Sequence, residues 1–144
     1  MADVPEHDHK IDTGKSVLSL EELGHVQPGL ARIMPEVGVR IWKCFYAGKA
    51  KNKPLARFQL KEAVNLMEIG VLLRPKYTDN MYKFIEEQVE VVKQAIEDED
   101  WDKFEAAFND MVEHANAYLE RFRELWDQPL DRLEVYLKRL QSRD

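Results

Sequence analysis

The chain has 144 residues, of which 44% are hydrophobic and 33% are charged, with only 6 glycines and 6 prolines. This length fits one domain with a buried core, and the composition excludes the disordered and collagen-like classes. The formal net charge of −6 argues against a nucleic-acid partner, because nucleic-acid binding depends on clustered Lys and Arg.

The N-terminal region predicts a tail followed by a short helix. Residues 1–15 are polar and show no periodicity, which indicates a flexible segment. They lack the apolar core of a signal peptide, and no later stretch reaches the roughly 20 apolar residues of a membrane span. We therefore expect a cytoplasmic protein that makes no membrane contact. Ser19 and Glu22 form a capping-box pattern, which predicts the start of the short helix.

The first long amphipathic segment begins near Pro28 and ends near Gly48. Pro35 lies inside it and predicts either a kink or the true start of the helix. Apolar residues recur at steps of three and four, which predicts one buried face. The residues of this face are Leu30, Ile33, Val37, Ile41 and Cys44. The lone cysteine is therefore expected to be a small buried hydrophobe rather than a reactive thiol.

Two further helices follow, each bounded by turn signals. Asn52 and Pro54 predict the start of the second helix, which ends by Arg74 because the next residue is a proline. Its predicted buried face comprises Ala56, Leu60, Val64, Met67 and Val71. Thr78 or Asp79 is expected to cap the third helix. The inward residues predicted for that helix are Met81, Ile85, Val92 and Ala95.

The fourth helix has the clearest pattern and comes after an acidic turn at residues 97–100. Its seam comprises Trp101, Phe104, Phe108, Met111, Ala115, Tyr118, Phe122 and Leu125. Such a seam, with short turns between helices, predicts an all-α, up-down-up-down four-helix bundle over residues 16–126. Residues 127–144 predict a C-terminal amphipathic helix with leucines at regular spacing. No strand pattern is present.

The segment from Val89 to Arg123, VEVVKQAIEDEDWDKFEAAFNDMVEHANAYLERFR, resembles the last helical hairpin of the cytochromes c′ and their soluble b-type relatives. In those families the closing helix carries a pattern such as N-A-Y-H-x-x-[FY]-R, or C-x-x-C-H in the c-type members. Tyr118 and Phe122 match it, as does Arg123. The resemblance covers about a quarter of the chain and implies a four-helix bundle. The stretch WKCFYAGKAKNKPLARFQL is similar to bacterial proteins of the same bundle type.

The haem positions of that pattern carry other residues here. The two thioether cysteines would fall at Ala115 and Tyr118, and the axial histidine would fall at Leu119. None of these three side chains can attach a haem or ligate its iron. The resemblance therefore implies a bundle without covalent haem, and we expect no cofactor.

The alternative is haem b held without covalent attachment. His114 could ligate the iron, and Met34 on the first long helix could supply the opposite ligand, as a methionine does in the b-type relatives. A hydrogen-bonded edge histidine and a core methionine are the structural interpretations of the same residues. A di-iron or di-manganese site is excluded, because outside the predicted tail the chain has one Glu-x-x-His spacing, Glu22 with His25, where such a site needs two on its helices.

The first two long helices are apolar on more than one face, which indicates burial on both sides. The residues off the buried faces are Val39, Trp42, Phe45, Tyr46, Phe58, Leu66, Ile69 and Leu73. An apolar face of this size predicts an interface, and cytochromes c′ commonly pair through their first two helices. We expect a twofold homodimer. The rival explanation is that the C-terminal helix and residues 16–24 cover this face.

No Ser, Cys or His stands beside a base in a pattern typical of catalysis. Polar residues on the first two helices predict either an internal network or a solvated face with salt bridges. They are Arg32, Arg40, Gln59, Glu62 and Asn65. We expect a haem-free, cytochrome c′-like, non-enzymatic protein that binds a small ligand or a protein partner. The alternative function is electron transfer by non-covalently bound haem.

Overall fold

A computed structural model of the protein describes residues 9–117 and residue 120, and this part of the chain is mostly helical, as the sequence predicts. The helices are α1 (Leu20–Val26), α2 (Leu30–Lys49), α3 (Lys53–Leu73), α4 (Thr78–Phe84), α5 (Glu90–Glu97) and α6 (101–117). The predicted C-terminal helix at 127–144 lies outside the described residues. None of the helices within residues 9–117 combines the length and the apolarity that crossing a bilayer requires.

A small β-hairpin precedes the helices, so the expectation of no strand was wrong. Strands β1 (Lys10–Asp12) and β2 (Val17–Ser19) pair antiparallel, and part of the predicted tail therefore has regular structure. Gly14 at the turn has φ 79°, and its N–H donates to Asp12 Oδ1 at 2.8 Å. Strands of three residues are too short for an alternating hydrophobic pattern to be recognised.

Helix α1 begins with the predicted capping box. Ser19 Oγ accepts a hydrogen bond from the Glu22 N–H at 3.1 Å, and Glu22 Oε2 accepts one from the Ser19 N–H at 2.8 Å. These two bonds satisfy backbone donors that the first helical turn leaves without partners. The local signal was therefore sufficient to locate this helix start.

The bounds of α2 and α3 agree with the turn signals, except at Pro35. Helix α2 begins at Leu30 and contains Pro35 in its interior, so the proline does not mark the start of the helix. Its ring removes only one early hydrogen bond, because a proline has no N–H. Helix α3 is capped by Asn52, whose side chain accepts from the Leu55 N–H at 3.2 Å, and its C-cap is Arg74, as predicted.

The third helical segment differs from the prediction at its start and in its middle. Thr78 is the first residue of α4 rather than its cap, and its hydroxyl donates to the Pro75 carbonyl at 2.6 Å. A 3-10 turn (Pro75–Tyr77) precedes it. A π-helical turn (Ile85–Val89) connects α4 to α5 without a break. Such a turn inserts one extra residue and changes the direction in which later side chains point.

The turns after α2 and after α5 have the same construction. Lys51 and Glu99 adopt left-handed conformations, with φ of 55° and 53°. Asn52 N donates to the Ala47 carbonyl at 2.8 Å, and Asp100 N donates to the Ala95 carbonyl at 3.1 Å. This is the 6→1 bond of the Schellman motif. The Asp100 side chain then accepts from the Lys103 N–H at 3.1 Å, as Asn52 does for α3.

The main core is built from four helices, α2, α3, α5 and α6, with Val89 of the π-helical turn. Its buried residues include Cys44, Ala47, Ala56, Leu60, Val92, Ala95, Ile96, Phe104, Phe108 and Met111. A second cluster of Ile33, Val37 and Met67 extends it between α2 and α3. Most of the predicted inward residues are buried. Seven are partly buried, namely Leu30, Ile41, Val64, Met81, Ile85, Trp101 and Ala115, and three of the predicted seam, Tyr118, Phe122 and Leu125, lie outside the described residues.

Candidate interaction surface

An apolar stripe follows the outer face of α2. Pro35, Val39, Trp42 and Tyr46 are spaced by four, three and four residues, which places them on one side of a helix. All four are exposed. The exposed fractions of Val39, Trp42 and Tyr46 are 45%, 51% and 67%. This "α2 stripe" (Pro35, Val39, Trp42 and Tyr46) has no cover from the described part of the chain.

The aromatic part of the α2 stripe is held in place by the core beneath it. The Trp42 ring lies 6.1 Å from the Phe108 ring and 5.9 Å from the Phe45 ring. Phe45 packs on Phe108 at 4.8 Å, while Tyr46 contacts Phe45 at 5.6 Å. Because one edge of Trp42 is fixed against α6, its other edge is presented to solvent in a defined position. A fixed aromatic ring loses little conformational entropy when a partner binds.

The outer face of α3 is apolar only in part. Phe58 and Ile69 are exposed, at 50% and 43%, but Glu62 and Asn65 lie between them on the same face. The Asn65 amide donates to Glu62 Oε1 at 3.4 Å. The apolar surface is therefore continuous along α2 and interrupted on α3.

Three of the eight predicted interface residues are partly buried within their own chain. Phe45 packs against the main core. Leu66 and Leu73 pack against the cluster of Ile33, Val37 and Met67. They lie at the edges of the helix pair, where the neighbouring helices of the same chain cover them. The remaining five predicted residues, Val39, Trp42, Tyr46, Phe58 and Ile69, are exposed.

The predicted polar network divides into two separate groups. Arg40 donates from Nη1 to Gln59 Oε1 at 3.2 Å and from Nε to Glu36 Oε1 at 3.1 Å. Gln59 is buried at 7% exposure, so this contact satisfies a polar group inside the α2–α3 contact. Glu62 and Asn65 form the second group on the outer face of α3. The fifth member, Arg32, is exposed.

Cys44 has the environment of a structural residue. Its side chain is fully buried in the main core, and burial raises the pKa of the thiol to about 12. The thiolate is the reactive form of cysteine. A thiol with this pKa remains protonated near neutral pH, which supports the expectation of a buried hydrophobe and argues against a nucleophilic role.

The residues proposed for non-covalent haem do not fit that group. His114 is half-exposed, and its Nδ1 lies 2.8 Å from the Asp110 carbonyl of its own helix. Met34 is 38% exposed. The interior beside α6 is filled by Phe104 and Phe108, both about 1% exposed. Leu119, at the position of the family's axial ligand, lies outside the described residues and carries no donor atom.

Within residues 9–117 and at residue 120, no three or more His, Cys, Asp or Glu side chains form a group that could hold a metal ion. No protein-family model matches the chain. No curated protein and no solved structure matches it either.

Proposed function

We propose that the chain is a non-enzymatic interaction protein, a haem-free bundle of the cytochrome c′ type that forms a homodimer. In this proposal α2, α3, α4–α5 and α6 form an up-down-up-down four-helix bundle in the cytoplasm. The observation that supports this proposal most directly is the exposed α2 stripe, in which Trp42 is held against the core. Trp and Tyr at the centre of an exposed apolar surface are the residue types that dominate binding energy at interfaces.

The charges beside the α2 stripe favour a second copy as the partner. Glu36 and Lys43 are seven residues apart, about two helical turns, so they lie on the same side of the stripe. The midpoints of this pair and of the stripe both lie within one residue of Arg40. In a twofold, antiparallel contact centred there, each Glu36 would face the partner's Lys43. Lys43 forms no ion pair within the described part of the chain. Glu36 accepts a hydrogen bond from Arg40 through Oε1, and its side chain is 46% exposed.

The first experiment measures mass by gel filtration with light scattering at micromolar concentration. We expect twice the chain mass of 16.9 kDa. Val39→Glu should shift the protein to the monomer, because it places a carboxylate in the contact. Val91→Glu is the matched control, since Val91 is exposed to 43% on α5 and lies outside the stripe. A mass near 17 kDa for the parent protein would refute the dimer.

A charge-reversal pair tests the geometry of the contact. Glu36→Lys and Lys43→Glu should each weaken the dimer through like-charge contacts, and the double variant should restore it. Dissociation constants from analytical ultracentrifugation would measure the effect. If the loss of dimer affinity in the double variant equals the sum of the losses in the two single variants, the antiparallel register is wrong even where the dimer itself exists.

A further inference from the structure

A groove runs between α3 and α5 on a part of the surface separate from the α2 stripe. Its volume is about 370 Å³, at the small end of the range of roughly 300–1,000 Å³ for ligand pockets. The floor is apolar and consists of Leu60, Val64, Ile85, Val89 and Ile96. A groove of this size fits a small molecule better than a helix of a partner protein.

The π-helical turn contributes to the floor of the groove. Ile85 and Val89 are its first and last residues, and both line the floor. The Glu90 N–H donates to the Ile85 carbonyl, which is the i→i+5 bond of a π turn. Such turns are rare overall, but a large share of them occur at functional sites. Here the two ends of the turn and the residues of α5 that follow it line the groove together.

The rim of the groove is positive in an otherwise acidic chain. Three cationic side chains, Arg57, Lys61 and Lys93, line it together with two carboxylates, Glu90 and Glu97. Glu97 is occupied by Arg57, whose Nε donates to Glu97 Oε1 at 2.6 Å, and this pair closes one end of the groove. The remaining charges are two lysines and one carboxylate.

The two lysines are available to a ligand. Lys61 makes no ion pair with any of the described residues. The Lys93 ammonium lies 3.3 Å from Glu90 Oε1, and both side chains are more than half exposed, so this pair is weak. Lys61 on α3 and Lys93 on α5 come from opposite sides of the groove. An anion bound between them would be attracted by both ammonium groups.

We propose that this groove binds a small amphipathic organic anion, with its acidic group between Lys61 and Lys93. Its apolar chain would lie over Val64 and Val89 toward the π-helical turn. The apolar floor supplies affinity for the chain, and the lysines select a charged head over a neutral one. The site is independent of the proposed dimer.

Octanoate is the probe, and the neutral 1-octanol is its matched ligand control. Titration followed by ¹³C-methyl NMR should shift the methyl signals of Val64, Ile85 and Val89 in a saturable manner. Lys61→Gln should weaken octanoate binding about fivefold, as for loss of one exposed ion pair. Lys103→Gln is the control variant, because Lys103 is exposed on α6 and lies away from the groove.

Three results would overturn the proposal. Octanol could bind as tightly as octanoate, which would remove the role of the lysines. Lys61→Gln and the control Lys103→Gln could weaken octanoate binding equally, which would indicate general charge attraction. Saturating shifts could also map away from Val64 and Val89, which would place the ligand elsewhere. Saturable shifts in the groove that require both Lys61 and the carboxylate of octanoate would support the proposal.

Discussion

At the scale of single residues, Gly48 sets the distance between α2 and α6. A Cβ added at this position would lie 2.1 Å from Phe104 Cε1 and 2.4 Å from Phe104 Cζ. Phe104 is 1% exposed, and it is surrounded by other core side chains, so its ring has no space into which to move. The absence of a side chain at Gly48 is what allows the two helices to approach.

We predict that Gly48→Ala lowers the free energy of unfolding by about 1–2 kcal/mol net, because so close a contact puts the overpacking cost at about 2–3 kcal/mol, the upper part of its usual range. This exceeds the gain of about 1 kcal/mol in helix propensity on replacing glycine by alanine. Urea unfolding followed by circular dichroism would measure the difference.

Gly38→Ala is the control for that prediction. Gly38 lies in the same helix, and a Cβ there would meet nothing within 4 Å. Alanine at this position should therefore stabilise the protein by up to about 1 kcal/mol. If Gly48→Ala stabilised the protein by as much as Gly38→Ala, the close contact with Phe104 would be contradicted.

At the scale of elements, two ion pairs join the two Schellman turns, and equivalent positions of the two turns carry opposite charges. Lys51 and Glu99 occupy the same place in their turns, so Lys49 corresponds to Glu97, and Arg57 corresponds to Glu105. The two pairs formed are Lys49 with Glu105, at 2.9 Å, and Arg57 with Glu97. Each pair therefore joins a residue before one turn to a residue after the other turn, which is the exchange of partners expected for a twofold arrangement of the hairpin α2–α3 and the hairpin α5–α6. One turn is basic and the other acidic.

The Arg57–Glu97 pair predicts a pH dependence. The hydrogen bond from Arg57 holds the pKa of Glu97 below its ordinary value of 4.5. The stability that this pair contributes is present above that value and is lost as the pH falls through the lower pKa of the folded state. Melting temperatures between pH 7 and pH 3 should therefore fall less steeply for Arg57→Gln than for the parent protein.

The comparison needs a second arginine variant. Arg32 is exposed and makes no ion pair with the described part of the chain, so Arg32→Gln should keep the parental pH profile. Both side chains of the Arg57–Glu97 pair reach solvent, and added salt should reduce the effect. Identical profiles for both variants would show that Arg57 does not control the titration of Glu97.

At the scale of the whole molecule, haem is the test of the cytochrome-like resemblance. The core beside α6 is filled by aromatic rings, and His114 is half-exposed with one ring nitrogen held by its own helix. We predict that one equivalent of haemin added to the purified protein gives no saturable Soret band. A visible absorption titration would measure this.

His114→Ala decides how a positive result is to be interpreted. A sharp band that saturates at one equivalent and disappears in this variant would contradict the haem-free proposal and would assign the ligand to His114. A band that is the same in both proteins would indicate adsorption to apolar surface such as the α2 stripe.

Much of the helical structure was predictable because its signals are local. The capping box at Ser19, the cap at Asn52 and the helix end before Pro75 each depend on residues within four positions. The buried faces followed from periodicity, as Phe104, Phe108 and Met111 show. Thr78 and Asp79 were both wrong as caps, because the 3-10 turn (Pro75–Tyr77) leads directly into α4 and puts Tyr77 at the capping position.

The tertiary structure decided what no local pattern carries. The π-helical turn has no sequence signal in its own residues. Phe45 and Leu66 have the same apolar character as Trp42, yet neighbouring helices cover the first two and leave Trp42 half exposed. The sequence by itself determined which residues form helices and which faces are apolar, because both depend on neighbours along the chain. Which apolar faces remain open depends on contacts between distant segments, and so does the placement of Lys61 and Lys93 along one groove.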